Sequence, residues 1–443
     1  MHDSRQSNPL ALLKGIIWLY FWLIFAEGIL RKWFLPGYSD IIFIIRDPLV
    51  ILAFLMSIQL GVFPFRPSVV ILVGIAMCSL IFSLTTDTPL KVVLYGLRTN
   101  YLHLPFIFLM GGVLNRDDVV KFGKWSIIVL IPIVALMTVQ FRSAPSAWVN
   151  VAVGAEVSGQ LRGAMGKIRP PGPFSFIAGA VMYFGLAWSF VLNGWLQPRD
   201  CRRIWVILAT LAVGLAIPVS ISRSLLLALL TGSMAAFVAM RHEPSRIFGV
   251  VVPMGLAGLV LYALSDTSYF EAYSTRWEQS VSAGNSGFHG NVIMRMLGGY
   301  LEPFRAAAHA PLLGHGVGMG TIAGARMATG SFTFALSEGE LGRVVLELGP
   351  FLGFAFIIWR FWLAALLLAL SWNKLKIQGD ALPWLISVGA AMNLLFAQWG
   401  PSTHLGIAVF GAGLVLGALN DPPEPDEPEH PNDAPGHPIS APS

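Results

Sequence analysis

Long apolar runs separated by short polar segments dominate the chain from residue 11 to residue 419. A helix needs roughly 20 apolar residues to cross about 30 Å of hydrocarbon, and about twelve runs approach that length. They cover residues 11–30, 40–61, 67–85, 90–113, 124–141, 174–195, 203–220, 223–241, 246–264, 342–371, 381–398 and 402–419. The runs lack the alternation of barrel strands, so helices are the spanning element. The pattern predicts an all-α polytopic membrane protein with about twelve transmembrane helices.

These runs divide the chain into four parts. Residues 1–264 hold the first nine predicted transmembrane helices, and residues 342–419 hold the last three. A large loop, residues 265–341, lies between them. Residues 420–443 are rich in Pro, Asp, Glu and Ser and have no apolar face, so we expect a disordered tail.

Composition agrees with this division. Of the 443 residues, 55% are hydrophobic and 12% are charged, whereas an ordinary soluble domain is about 25% charged. A soluble globular enzyme is therefore excluded. Cys78 lies in an apolar run and Cys201 in a basic loop. We expect Cys78 to be a small apolar side chain that fills space and Cys201 to be a surface thiol, with no disulfide between them.

Basic residues fix the predicted orientation. With a cytoplasmic N-terminus, every short inner loop carries positive charge, as the positive-inside rule requires. These residues are Arg66, Arg116, Lys121, Lys124, Arg199, Arg202, Arg203, Arg241, Arg246, Lys374 and Lys376. Both termini are then cytoplasmic, and residues 141–173 and the large loop lie outside. Arg31 and Lys32, in the first outer connection, are the clear exception.

Two basic segments of the predicted outer side could bind phosphate. Ser220–Arg223 opens the eighth span, where free N–H groups and a guanidinium favour an anion; capping by Ser222 with a snorkelling arginine is the alternative. Arg169–Phe174 precedes the sixth span, with Arg162 and Lys167 upstream. Its prolines and glycine fit a rigid re-entry into the membrane. Its basic residues form a cationic collar that membrane insertion does not require.

The large loop contains an amphipathic segment over residues 291–310. Its apolar face comprises Ile293, Leu297, Tyr300, Leu301, Phe304 and Ala308, and its polar face Arg295, Glu302, Arg305 and His309. This pattern predicts a helix on the membrane surface, with a solvated polar face as the alternative reading. The segment leads into the glycine-rich turn Gly314–Gly320. No strand precedes that turn, so it is not a dinucleotide fingerprint. Its glycines do indicate that the backbone there makes a close approach to another group.

Proton-transfer chemistry has several possible carriers. Glu338 or Glu340, before the tenth span, could act as a general base facing the outer compartment. A capping box from Ser337 to Glu340 is the structural alternative. The competing bases, each expected to be structural, are His289, His309 and His315.

Five ionisable residues fall within the spans. They are Glu27, Arg46, Asp47, Arg98 and Arg360. Charges at bilayer depth are expensive, so we expect these side chains to face inward and pair.

These motifs together resemble the O-antigen ligase and O-antigen polymerase superfamily of bacterial polysaccharide assembly. The matching segments are Arg169–Phe174, Ser222–Arg223, Arg295, Pro311–Gly318 and Glu347–Gly353. The resemblance covers roughly residues 165–370, together with the order of the spans and the large outer loop.

The resemblance implies a GT-C-like glycosyltransferase of the bacterial inner membrane. Its donor would be an undecaprenyl-pyrophosphate-linked glycan at the periplasmic face, and its acceptor a glycan or a lipid. Arg223 and Arg295 match family arginines that hold the pyrophosphate, and we expect Arg169 and Arg305 to join them. Among the possible bases, Glu338, Glu340 and His315 remain open. The ligases carry a His-Asn pair where this chain reads Ser337 to Glu340, which favours a polymerase-like assignment.

The sequence also bears on metals, cofactors, partners and alternative functions. The outer segments hold no Asp-x-Asp, and the chain has no metal-ligand spacing, so we expect a metal-independent reaction without a cofactor. The lipid bilayer is a partner and nucleic acid is not, while a polysaccharide assembly complex is a further possible partner. The alternative functions are a polysaccharide or lipid-linked glycan transporter or flippase, and a non-catalytic scaffold. A transporter predicts two related halves, which the position of the large loop does not support.

Overall fold

Helices form the regular secondary structure of the described chain, apart from one isolated β-bridge between Arg162 and Ile168. The computed structural model describes residues 9–155, 160–240, 247–282, 298–330, 336–337 and 339–421. The helices are α1 (Pro9–Ile29), α2 (Ser39–Ile42), α3 (Asp47–Gln59), α4 (Pro67–Leu84), α5 (Leu90–Leu97), α6 (Leu104–Val113), α7 (Arg116–Arg142), α8 (Ile177–Leu196), α9 (Arg203–Val219), α10 (Arg223–Met240), α11 (Phe248–Ala263), α12 (Ser268–Ser282), α13 (298–307), α14 (Ile322–Thr329), α15 (Glu340–Gln378), α16 (Ala381–Phe396) and α17 (Ser402–Leu419).

Eight helical segments of the described chain are long and apolar enough to cross a membrane, or nine if α11 and α12, which meet at 99°, count as one span. The eight are Leu10–Phe34, Pro36–Gln59, Pro67–Leu84, Arg116–Arg142, Ile177–Leu196, Arg223–Met240, Glu340–Gln378 and Ser402–Leu419. The other predicted runs also hold helices, namely α9, α16 and the pair α5–α6. A multi-pass helical membrane protein is confirmed, and the count of twelve spans remains a prediction.

Helix α17 lies at the centre of the bundle, because 94% of its residues are buried inside the protein. It packs against α6 and α16. A side chain at Gly413 would collide with Met110, and one at Gly417 with Leu114. These glycines allow the two backbones to approach closely, as small residues do between membrane helices.

Ion pairs join the helix ends that the charge pattern places inside. Arg116, at the start of α7, lies 3.1 Å from Asp200 and 2.8 Å from Asp380, which precedes α16. Lys374, near the end of α15, lies 2.7 Å from Asp421. The predicted inner loops therefore meet at one end of the bundle. Which side of the membrane this end faces remains a prediction.

Burial changes two of the expectations for particular residues. Cys201 is buried and not a surface thiol. Arg31 and Lys32 are also buried: Arg31 pairs with Glu27 at 3.0 Å, and Lys32 donates a hydrogen bond to the carbonyl of Gly172 at 2.8 Å. Both side chains therefore have partners inside the protein and are not exposed in a connecting loop.

Helix α13 is the described part of the predicted amphipathic segment. The Tyr300 ring lies 5.0 Å from that of Phe396, and the Phe304 ring 5.3 Å from that of Phe354. Two rings of the apolar face therefore contact α15 and α16, while Tyr300 and Phe304 stay 43% and 64% exposed. Glu302, from the predicted polar face, accepts a hydrogen bond from Ser337 at 2.6 Å. The polar face of α13 thus contacts the residues just before α15.

Candidate functional site

A cavity of about 890 Å³ lies at the end of the bundle opposite Arg116. Helix α15 connects the two ends, with Glu340 at the cavity and Lys374 at the other end. The cavity walls come from the segments that the charge pattern places outside and from the adjoining turns of α3, α5 and α15. Its charged lining comprises Arg31, Asp40, Asp47, Arg98, Arg326, Glu340 and Arg343.

A buried ionic network forms the wall at α15. Arg343 donates two hydrogen bonds to Glu340, at 2.8 and 3.0 Å, and one to Glu347 at 2.7 Å. Arg360 donates to Glu340 at 2.9 Å, and Asn100 accepts from Arg343 at 3.1 Å. The spacing of Glu340, Arg343 and Glu347 places all three on one face of the helix. Both carboxylates therefore have strong, fixed partners.

A second chain of polar contacts forms the wall at α3 and α5. Asp47 accepts hydrogen bonds from Arg98 Nε at 2.7 Å and Nη2 at 3.0 Å. His103 Nε2 lies 2.9 Å from the same carboxylate, and its Nδ1 lies 3.1 Å from the Tyr20 hydroxyl. A π-helical turn, Arg98–Leu102, separates α5 from α6 and places Arg98 and His103 beside Asp47.

A third cluster of polar contacts centres on Glu27. Glu27 accepts hydrogen bonds from Arg31 and Arg46, each at 3.0 Å, and from the Ser402 hydroxyl at 3.0 Å. Together with Asp47–Arg98 and Glu340–Arg360, the pair Glu27–Arg46 confirms the predicted pairing of charges within the spans. These contacts offset the cost of placing charge at bilayer depth.

Some polar atoms of the cavity lining have no partner in the described chain. The Arg98 side chain is only 9% exposed, yet its Nη1 has no hydrogen-bond acceptor there. Ser175, 4% exposed, also has an unpartnered hydroxyl. Buried polar atoms are normally satisfied, so these two indicate a polar ligand or water. Asp40 is exposed and forms no hydrogen bond or ion pair with any described residue.

The glycine-rich turn contacts protein backbone. Gly314, Gly316 and Gly318 have φ values of +77°, +95° and +95°. A Cβ on Gly314 would lie 2.2 Å from the Glu347 carbonyl, and one on Gly318 would lie 2.5 Å from the carbonyl of Val92. The predicted close approach is confirmed, and its partners are α15 and α5. The Gly320 N–H also donates to Glu347 at 2.9 Å, which links the turn to the ionic network.

The residues predicted to carry proton transfer fall in different places. Glu340 lines the cavity, but Arg343 and Arg360 occupy its oxygens. The predicted capping box does not form, because Gly339 is the N-cap of α15 and no side chain caps it. His315 is exposed and does not line the cavity. Glu338 lies outside the described residues.

The predicted phosphate-binding arginines do not line the cavity either. Arg305 is exposed on α13, and Arg295 lies outside the described residues. Arg223 begins α10, as predicted, and its guanidinium lies 5.9 Å from the ring centre of Trp277 on α12. Arg169 is half-buried and does not line the cavity. These arginines are thus separate from the cavity, and the described ones lie in segments predicted to be outside.

Sequence reasoning missed several polar residues of the cavity. Arg326 lies on α14, Asp40 on α2 and Ser175 just before α8. The available signal was their position, because each lies within or beside a segment predicted to face outward.

No family model matches the chain, and no curated protein matches it.

Proposed function

We propose that the chain is a membrane glycosyltransferase, of GT-C-like architecture, that ligates or polymerises glycan units. Its donor would be an undecaprenyl-pyrophosphate-linked glycan, bound at the periplasmic face of a bacterial inner membrane. The observation that carries this proposal is the cavity of about 890 Å³ with Arg31, Arg98, Arg326 and Arg343 in its lining. A diphosphate is the leaving group available outside the cytoplasm, where nucleotide sugars are absent.

The cavity lining suits a diphosphate. Guanidinium groups bind phosphate oxygens through paired hydrogen bonds, and they stabilise negative charge that develops on a leaving group. Arg98 Nη1 and the Ser175 hydroxyl are donors without partners in the described chain, and an anion would satisfy both. The guanidinium groups would take the role that a metal ion has in other transferases.

Four further arginines support the same proposal from a second position. Arg169, Arg223 and Arg305 lie in segments predicted to be outside, and we expect Arg295, beyond the described residues, to add to their positive charge. Positive charge there would draw an anionic lipid carrier towards the cavity and raise its local concentration. In this proposal, the cavity holds the diphosphate and these four arginines guide it.

Variants of Arg326 test the proposal in the producing bacterium. Arg326→Gln removes an exposed cavity arginine, and we expect shorter polymer or less attachment as donor binding weakens. The matched control is Arg202→Gln, an exposed arginine at the opposite end, which should leave the glycan unchanged. In a deletion strain, single repeat units on the carrier would indicate a polymerase, and finished chains a ligase. Normal glycan in the deletion strain would refute both activities.

A transporter or flippase is the second candidate. The π-helical turn Arg98–Leu102 separates α5 from α6 beside the cavity. Helix α15 breaks at Gly349, where φ is +77° and Pro350 follows. Interrupted helices next to a binding site are typical of transporters. This alternative predicts translocation of lipid-linked glycan in proteoliposomes with no change in glycan length. A change in glycan length with the purified protein would exclude it as the sole activity.

A further inference from the structure

The cavity has three carboxylates in its lining, and they differ in what holds them. Asp47 is bound by both Nε and Nη2 of Arg98 and contacts His103. Glu340 is bound by Arg343 and Arg360. A carboxylate whose lone pairs are occupied by guanidinium groups is a poor proton acceptor. These two carboxylates therefore position the arginines and are unsuited to proton transfer.

Asp40 is the third carboxylate. It lies in the first turn of α2, is exposed, and forms no hydrogen bond or ion pair with any described residue. Its neighbour Ser39 accepts a hydrogen bond from Arg31 Nε at 3.1 Å, which fixes the backbone beside it. Asp40 thus combines free lone pairs with a held position in the cavity wall, which a general base requires.

We propose that Asp40 is the catalytic base that deprotonates the acceptor; this inference rests on the proposed function. The acceptor hydroxyl oxygen forms a bond to the anomeric carbon of the donor sugar. The bond from that carbon to the diphosphate oxygen breaks, and its electron pair leaves with the diphosphate. The hydroxyl proton passes to an Asp40 carboxylate oxygen and is later released to water. Arg98 and Arg326 face the charge that develops on the leaving diphosphate.

This assignment replaces the bases expected from sequence. Glu340 is engaged, and His315 lies outside the cavity lining. A base near the start of α2 was not apparent from sequence, because Asp40 opens a predicted span and not a loop. Glu338, outside the described residues, is the competing base that experiment must separate from Asp40.

The test uses the full-length protein in proteoliposomes. The probe is lipid-linked glycan extracted from a strain that lacks the protein, and release of undecaprenyl pyrophosphate is followed by mass spectrometry. Asp40→Asn should lower kcat about 10²- to 10⁴-fold, the usual contribution of a general base. It should leave KM and the Kd of undecaprenyl pyrophosphate near the wild-type values. The matched control is Asp117→Asn, an exposed aspartate in the first turn of α7 at the opposite end.

Chemical rescue separates a base from a structural residue. Formate should restore part of the rate of Asp40→Ala, because a small carboxylate can occupy the vacated space and accept the proton. It should not restore the rate of Arg98→Gln, which lacks a binding group. Loss of binding or of thermal stability in Asp40→Asn would mean a structural role and overturn the assignment.

The outcomes distinguish the base from the function. If the wild-type protein releases undecaprenyl pyrophosphate and Asp40→Asn does so equally fast, Asp40 is not the base and the proposed function stands. Activity in Asp40→Asn combined with inactivity in Glu338→Gln would identify the other carboxylate. If the wild-type protein releases no undecaprenyl pyrophosphate, the proposed function fails and the base fails with it.

Discussion

Arg343 and Glu340 lie one turn apart on α15 and share two hydrogen bonds, from Nη2 to Oε1 at 2.8 Å and from Nε to Oε2 at 3.0 Å. Both side chains are buried, and Arg360, which follows the break in α15 at Gly349, binds the same carboxylate. One carboxylate thus pairs with two guanidinium groups, while Glu347 pairs with Arg343 as well. Removal of the Glu340 charge leaves the buried Arg360 without an ion-pair partner among the described residues.

The first prediction concerns that carboxylate. Glu340→Gln should lower the free energy of unfolding by about 3 to 5 kcal/mol, the usual effect of breaking a buried ion pair. Thermal unfolding of the purified protein in detergent measures this. Glu271→Gln, at an exposed position of α12, is the control and should change stability little. An inactive but fully stable Glu340→Gln protein would instead support Glu340 as the base.

The second prediction concerns the glycine-rich turn. Gly318→Ala forces an L-residue to φ near +95° and places a methyl group 2.5 Å from the Val92 carbonyl. The backbone conformation alone should cost about 1 to 2 kcal/mol, and the collision adds to it. Gly112→Ala, on α6 with open space at its Cβ, is the matched control. Equal melting temperatures for the two variants would contradict the packing of the turn against α5.

A third prediction compares two ion pairs at the opposite end. Arg116 contacts both Asp200 and Asp380 with a side chain 19% exposed, whereas Lys121 contacts Asp118 with a side chain 61% exposed. Arg116→Met should cost about 3 kcal/mol, because it leaves two partly buried carboxylates unpaired. Lys121→Met should cost less than about 1 kcal/mol, since exposed pairs contribute little. Chemical denaturation of both variants decides this, and a similar loss in each would be inconsistent with the described network.

A fourth prediction concerns thiol reactivity. Burial raises the pKa of the Cys201 thiol, so less of it is thiolate at neutral pH. It should react with iodoacetamide far more slowly than a cysteine introduced by Arg202→Cys, at the exposed neighbouring position. The comparison uses Cys78→Ser protein, with Cys201→Ser added for the introduced thiol. Raising the pH should accelerate Cys201 alkylation, and equal rates at pH 7 would show that the native thiol is accessible.

The sequence was sufficient for the helices and for part of the buried chemistry. Apolar runs located helices because lipid requires every backbone group to bond within its own segment. The pairing of Glu27, Arg46, Asp47, Arg98 and Arg360 followed from the cost of unpaired charge in hydrocarbon. The close approach at Gly314–Gly320 followed from glycines that only a tight backbone contact requires.

The cavity could not be predicted from the sequence. Its walls combine residues near positions 40, 98, 175, 326 and 340, which are distant along the chain and meet only when α5, α14 and α15 pack. Helical periodicity gives the face of one helix and not its neighbour. Local sequence pattern therefore predicted Arg169 and Arg223 as phosphate-binding residues, whereas tertiary packing places other arginines around the cavity.

Direct observation of the carrier tests the central claim. Cryo-electron microscopy of the full-length protein in lipid nanodiscs with undecaprenyl pyrophosphate should show the diphosphate in the cavity, within hydrogen-bond distance of Arg98 and Ser175. The lipid tail should leave between helices into the bilayer. Diphosphate density at the end of the bundle that holds Arg116 and Asp380, or no density in the cavity at saturating carrier, would contradict the account.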